Sequence, residues 1–344
     1  MGIRLRRRPQ VLVWISWLTI ALVLSSHCFS TPKQPPSSVS RERSGLAIRA
    51  KADRFFKLSI PEKDLLKKIS TASQAYKWQD VQSTMASYSG TAVPIYTAAM
   101  HGAFRCREYQ AGAAFFEKCQ QASSILDVPV YGLALKIHGK LGNHEMVRKI
   151  WNQTLRDCNL TDTLATARIS AAADAGDVET AAEILDLIDN TKGLSIEVHH
   201  VNSAIKACWG SKKRMNKVAQ YFFDLLPKLE LKPTLISYTN LIGALETGKL
   251  QEVVVAYRDM KRQQISPDTI FAETYLASLM QMRRKKGVSW TPQKICDAIL
   301  DKERVEVVER SQAAREALAD FEKAGVKLTR LSVMIRKALE RLPC

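Results

Sequence analysis

The sequence holds seven cysteines, and no two of them stand as Cys-x-x-Cys. That excludes a disulfide framework and the usual zinc spacings, and leaves scattered thiols of the kind kept in a reducing compartment. Glycine is scarce, 15 of 344 residues, and occurs singly, so no glycine-rich loop is present to cradle a phosphate. One long apolar run exists, Val11 to Ser26, and it falls short of the roughly 20 residues that span a bilayer comfortably. Catalytic groupings are also missing. His199–His200 has neither Glu nor Cys at ligand spacing, and Asp174 and Asp177 flank Gly176 in the manner of turn residues. The chain is therefore read as a non-enzyme that holds no metal and no cofactor.

Charge is present, though unevenly. The chain carries 51 Lys and Arg against 34 Asp and Glu, a net +17 that points to nucleic acid until it is partitioned. Residues 1–57 hold 11 basic and 2 acidic residues, which accounts for +9. Residues 93–268 hold 21 and 19, a net of only +2, and residues 269–344 hold 15 and 10, a net of +5. Backbone binding to a polyanion would then be weak and salt-sensitive, carried by local clusters. Two clusters stand out: Lys212, Lys213 and Arg214 between two helical patterns, and Arg283, Arg284, Lys285 and Lys286 after another. Solvated surface turns have the same composition.

A repeat runs through the middle of the chain. Pro233–Thr234 enters and Pro267–Asp268 leaves a unit of two helical patterns, 34 residues apart. Val-Pro-Ile-Tyr at 93 and Val-Pro-Val-Tyr at 128 are 35 residues apart. Copies begin near 93, 128, 163, 198 and 235, each with apolar residues at helical spacing, as in Ala181, Ile184, Leu185 and Ile188. Gly142, Gly176 and Gly248 sit between the two helices of their copies, where a left-handed cap ends the first helix. One such hairpin cannot bury its apolar face alone, so neighbours must stack into an all-α, right-handed superhelical solenoid of helix–turn–helix repeats. Residues 58–92 read as a divergent helix pair and 269–344 as divergent C-terminal helices, since terminal repeats meet water on one face.

The Leu-Gly and Tyr pattern of tetratricopeptide repeats is absent from the first helices. The chain resembles instead a pentatricopeptide repeat protein of the simple, P-type kind. The resemblance is carried by Val93 with Tyr96, Val128 with Tyr131, Val201 to Ile205, Ser237 to Ile242, and the Pro-Thr and Pro-Asp repeat ends. It implies single-stranded RNA binding in organelle RNA metabolism, such as transcript processing, stabilisation or translation. A nuclease or other RNA-processing protein is the implied protein partner. In that family a polar residue at the fifth position of the first helix and the last residue of the repeat read one base. Carried over, the pairs are Thr97 with Asp127, Thr166 with Glu197, Asn202 with Thr234, and Thr239 with Asp268. Gly132, with Thr161 or Asp162, has no side chain to read a base. By the same resemblance Thr with Asp favours guanine, and Asn at the first place favours pyrimidines. Helix capping makes the same demand for Asn, Thr and Asp at helix starts, so both roles stand on the sequence. A protein–protein scaffold using the same groove is the alternative, favoured by the near-neutral repeats.

The N-terminus reads as an address. Arg4, Arg6, Arg7 and Arg8 precede the apolar run, as in a cleavable signal peptide. From Phe29 to Lys57 the chain is rich in Ser, Pro, Arg and Lys with only Glu42 and Asp53 as acids, which resembles a transit peptide. Together, residues 1–57 resemble the bipartite presequence of algae whose plastids lie inside extra membranes, so a plastid is the expected destination. A mitochondrion, or membrane attachment through an uncleaved signal anchor, is the alternative.

Overall fold

The computed structural model describes residues 58–342 apart from 124–125, 214, 283–289 and 301–303. The expected leader, residues 1–57, and the candidates Arg214, Arg283, Arg284, Lys285 and Lys286 lie outside the described residues. Sixteen helices and no strand are found among the described residues. None of these helices is long and apolar enough to cross a membrane.

The chain forms two compact units, whose division runs through one helix hairpin, α7 (Asp162–Ala175) and α8 (Val178–Asp189). The first unit contains three complete hairpins: α1 (Ile60–Gln74) with α2 (Trp78–Ala86), α3 (Val93–Cys106) with α4 (Tyr109–Ala122), and α5 (Val128–Lys140) with α6 (His144–Asp157). The second contains α9 (Val198–Gly210) with α10 (Asn216–Lys228), and α11 (Leu235–Leu245) with α12 (Leu250–Arg262). After them come α13 (Thr269–Leu279), α14 (Pro292–Leu300), α15 (Arg304–Lys323) and α16 (Arg330–Leu339).

Within each hairpin the two helices are built differently. The second helix carries one narrow buried, mostly apolar stripe at i, i+3, i+4 and i+7: Val147, Ile150, Trp151 and Thr154 in α6, Ala219, Phe222, Phe223 and Leu226 in α10, and Val253, Ala256, Tyr257 and Met260 in α12. Such a helix covers a core with one face and meets water with the other. The first helix is apolar on nearly every side, and in α11 every residue from Ser237 to Leu245 is buried. A helix of that kind needs neighbours all round, and it has them. In the first unit α3 packs on α1, α4 and α5; in the second α11 packs on α9, α10, α12 and α13. The first helices thus stack directly on one another. In that stack Gly243 of α11 lies under the Trp209 ring of α9, where a Cβ would come within 2.4 Å of the indole. Trp209 is therefore a packing residue.

The turns between paired helices follow the expected glycine rule in part. Gly142 and Gly176 take left-handed φ values of 69° and 67°. In the 93–127 copy Arg107 holds that conformation, at φ 65°. Gly248 does not: the preceding helix ends at Glu246 in a right-handed conformation, and Gly248 N–H donates to the Leu245 carbonyl at 2.7 Å. The expectation of a left-handed cap at Gly248 is corrected accordingly. A tight turn closed by a backbone hydrogen bond does the same work there.

Candidate nucleic-acid interface

Helix starts fix the repeat register. α3, α5, α7, α9 and α11 begin at Val93, Val128, Asp162, Val198 and Leu235. Their fifth residues are Thr97, Gly132, Thr166, Asn202 and Thr239. The residue before each following helix is Asp127, Thr161, Glu197, Thr234 and Asp268. The sequence left Thr161 or Asp162 open as one repeat end. Helix α7 includes Asp162, and Leu164 N–H donates to the Thr161 hydroxyl at 3.4 Å.

The repeat-end residues are helix caps, as elementary accounting of free N–H groups demands. Asp127 Oδ1 accepts from Val130 N–H at 3.2 Å, and Asp268 Oδ1 accepts from Phe271 N–H at 2.7 Å. The Thr234 hydroxyl accepts from Ser237 N–H at 3.4 Å. At Glu197 the cap is reciprocal: its N–H donates to His200 Nδ1 at 3.1 Å, and His200 is fully buried. His200 is thus committed to the helix start. Capping uses one oxygen of each aspartate and leaves the second free to accept.

The fifth-position threonines also share one geometry. Thr97 Oγ1 donates to the Val93 carbonyl at 2.8 Å, and Thr239 Oγ1 donates to the Leu235 carbonyl at 2.7 Å. With its proton spent on its own helix, each hydroxyl can only accept from a ligand. Asn202 differs. Its Nδ2 donates to the Thr234 hydroxyl at 3.4 Å, so this expected pair touches directly. Its backbone carbonyl accepts from Asn240 Nδ2 at 2.9 Å, while its buried Oδ1 has no donor among the described residues.

In the first unit, Thr97 and Asp127 line one cavity of about 490 Å³, walled by α1, α3 and the start of α5. Leu66, Ser70, His101 and Arg105 line it as well. Arg105 is held in place: its Nε donates to the Ser73 carbonyl at 3.1 Å, and its guanidinium lies 4.6 Å from the centre of the Tyr76 ring. In the second unit, Ile236 and Ile270 are 61% and 65% exposed, each the second residue of its helix and each two residues beyond a repeat-end cap, Thr234 and Asp268. Sequence reasoning passed over these two. Their signal was the apolar residue placed after Pro-Thr-Leu and Pro-Asp-Thr, 34 residues apart, where a buried stripe has no use for it. Lys212 and Lys213 are exposed between α9 and α10, without a carboxylate partner among the described residues. The thiols stay protonated: burial pushes Cys119 and Cys208 up to about 12 and Cys158 up to about 11.

No protein-family model matches the sequence, and no curated protein matches it. Solved structures do. A crystal structure of the pentatricopeptide repeat protein PPR10 in complex with an 18-nt psaJ RNA element matches with a TM-score of 0.58 at 12% identity, over 88% of this chain. A crystal structure of the pentatricopeptide repeat protein PPR10 from maize matches with a TM-score of 0.50 at 14% identity, over 86% of this chain. The match spans 43% of the first solved chain and 50% of the second. Helix hairpins in repeat register, with first helices stacked and polar caps at every repeat end, are the fold of pentatricopeptide repeat proteins, and this chain has that fold.

Proposed function

We propose that the protein binds single-stranded RNA, one base per repeat, through the fifth residue of each first helix and the cap residue at the repeat end. The observation that carries this is the shared donor state of the Thr97/Asp127 and Thr239/Asp268 pairs. Each threonine hydroxyl has given its proton to its own helix, and each aspartate keeps an oxygen free beyond the capping bond. Both members of the pair are then acceptors. Guanine presents two adjacent donors on its Watson–Crick edge, N1–H and N2–H₂, and is the base such a pair suits. Asn202, which bonds its repeat-end partner Thr234 through Nδ2, stands at the fifth place where the resemblance assigns a pyrimidine. Ile236 and Ile270 supply exposed apolar surface on which base faces pack. The RNA complex of PPR10, which shares the fold, supports the reading.

The near-neutral repeat region implies modest, salt-sensitive affinity, and few repeats, at one base each, imply a short footprint, so useful specificity calls for a partner such as a nuclease or another RNA-processing protein. Processing, stabilisation or translation of a transcript all follow from the same binding act. The place of action we infer is the plastid, on the Arg-rich, acid-poor composition of residues 1–57.

The test is binding of the full chain to random single-stranded RNA at two salt concentrations, followed by selection of bound sequences. The expected result is salt-sensitive, selective binding with guanine enriched at the two places set by Thr97/Asp127 and Thr239/Asp268. No binding at low salt would overturn the reading and leave the groove to a protein ligand, the alternative that the +2 charge of residues 93–268 favours.

A further inference from the structure

The N-terminal hairpin α1–α2 carries no Tyr at the fourth position of its first helix and no polar repeat end, and by sequence it is a terminal cap. The structure gives it a second role. Leu66, Ser70 and Gln74 of α1 line the same cavity as Thr97 and Asp127, so the hairpin forms one wall of the place where the first reader pair stands. A volume of about 490 Å³ lies in the range of ligand sites that hold a small organic molecule.

The charges around this cavity are lopsided. Lys63 and Lys67 fall on the stripe 63, 67, 70, 74 of α1, one turn apart from each other and in line with the cavity residues Ser70 and Gln74. Both are exposed, and neither ammonium group has an ion-pair or hydrogen-bond partner among the described residues. Arg105 and His101 line the cavity from α3. Asp127 is the one carboxylate among the described residues of the lining, and its cap bond fixes it at the start of α5. Within the lining Arg105 and His101 stand against Asp127, and Lys63 and Lys67 extend the same stripe of α1 beyond it; Glu62, one turn before Leu66, is taken up by Ser59 N–H and the Tyr88 hydroxyl. Lys68 and Asp64 lie round the helix, off the stripe.

We propose that α1 is a working part of the RNA track, in which Lys63 and Lys67, with Arg105, hold the phosphate of the nucleotide whose base sits at Thr97 and Asp127. This rests on the RNA-binding reading above and adds a phosphate place that the repeat pattern does not predict. Arg105 is already braced by the Ser73 carbonyl and the Tyr76 ring, so its remaining N–H groups are presented without further ordering. The two lysines supply mobile point charges farther along the same helix stripe.

The test compares three single variants of the full chain, Lys63→Gln, Lys67→Gln and Lys68→Gln, in binding to single-stranded RNA across a salt series. All three remove the same charge from the same exposed helix. Deleting one cation that neutralises a phosphate lowers the slope of log affinity against log salt by about 0.7 for a single strand. Lys63→Gln and Lys67→Gln are expected to weaken binding with slopes lowered by about that amount, leaving the base preference intact, while Lys68→Gln matches the parent. Unchanged slopes for the first two, or an equal loss for Lys68→Gln, would overturn the proposal while leaving the base-reading account standing. Failure of the parent chain to bind RNA at all removes both.

Discussion

His138 is the residue whose environment least suits its chemistry. It lies in α5, 5% exposed, with neither ring nitrogen hydrogen-bonded among the described residues and the Phe116 ring 6.0 Å away. Burial holds its imidazole below the ordinary 6.5, and Glu117 opposes this only in part. The unfolded chain therefore takes up a proton near pH 6.5 that the folded chain refuses. Stability is complete above pH 6.5 and falls as the pH drops from there toward the lowered folded value, by up to about 1.4 kcal/mol per pH unit. Asp186 acts in the other sense, since burial raises it to about 6 and the folded chain gains protons below that pH. A His138→Leu variant isolates the first effect. In urea unfolding at a series of pH values from 8 down to 5, the parent should lose stability relative to the variant only below about pH 6.5. A constant difference across the series would mean that the imidazole titrates normally.

At the scale of elements, the hairpin turns show how one repeat signal has two separate causes. Gly142 and Gly176 occupy the same place in their copies with the same left-handed backbone. Around Gly142 a Cβ would meet nothing within 4 Å, whereas at Gly176 it would lie 2.5 Å from the Gly210 carbonyl oxygen. Gly142→Ala should cost about 1 kcal/mol, the left-handed penalty alone. Gly176→Ala adds a clash with backbone that cannot rotate away, and a further 1–3 kcal/mol or so is expected from overpacking. Denaturant midpoints of the two variants check the order; equal midpoints would show that the Gly176–Gly210 approach relaxes freely. The sequence announced both glycines, and the period with them, because each copy must restate its caps and its apolar stripe. It could not announce that Arg107 would hold the left-handed position in the 93–127 copy, or that Gly248 would not. Those choices follow from how each turn closes its own backbone hydrogen bonds, Glu108 N–H to the Ala103 carbonyl in one and Gly248 N–H to the Leu245 carbonyl in the other. The wall that α1 gives to the first cavity was likewise hidden, since Leu66, Ser70 and Gln74 acquire meaning only beside Thr97.

For the whole molecule, the proposed function rests on register: the helix starts that place Thr97, Thr166, Asn202 and Thr239 at one position also place Asp127, Glu197, Thr234 and Asp268 at another. The pairs were legible as positions, while the donor states that give them chemistry were not, because Thr97 and Thr239 bond their own helices and Asn202 bonds Thr234. If each pair reads its own base, changing one fifth-position residue must change one place in the bound sequence and nothing else. Thr239→Asn makes this test directly, since Asn202 already occupies the equivalent place in the preceding repeat. RNA selected by the variant, set beside RNA selected by the parent, should show guanine replaced by a pyrimidine at the single place read by residue 239 and Asp268, with guanine kept at the place read by Thr97 and Asp127. A selected motif that does not change, or that changes at every place together, would contradict the account.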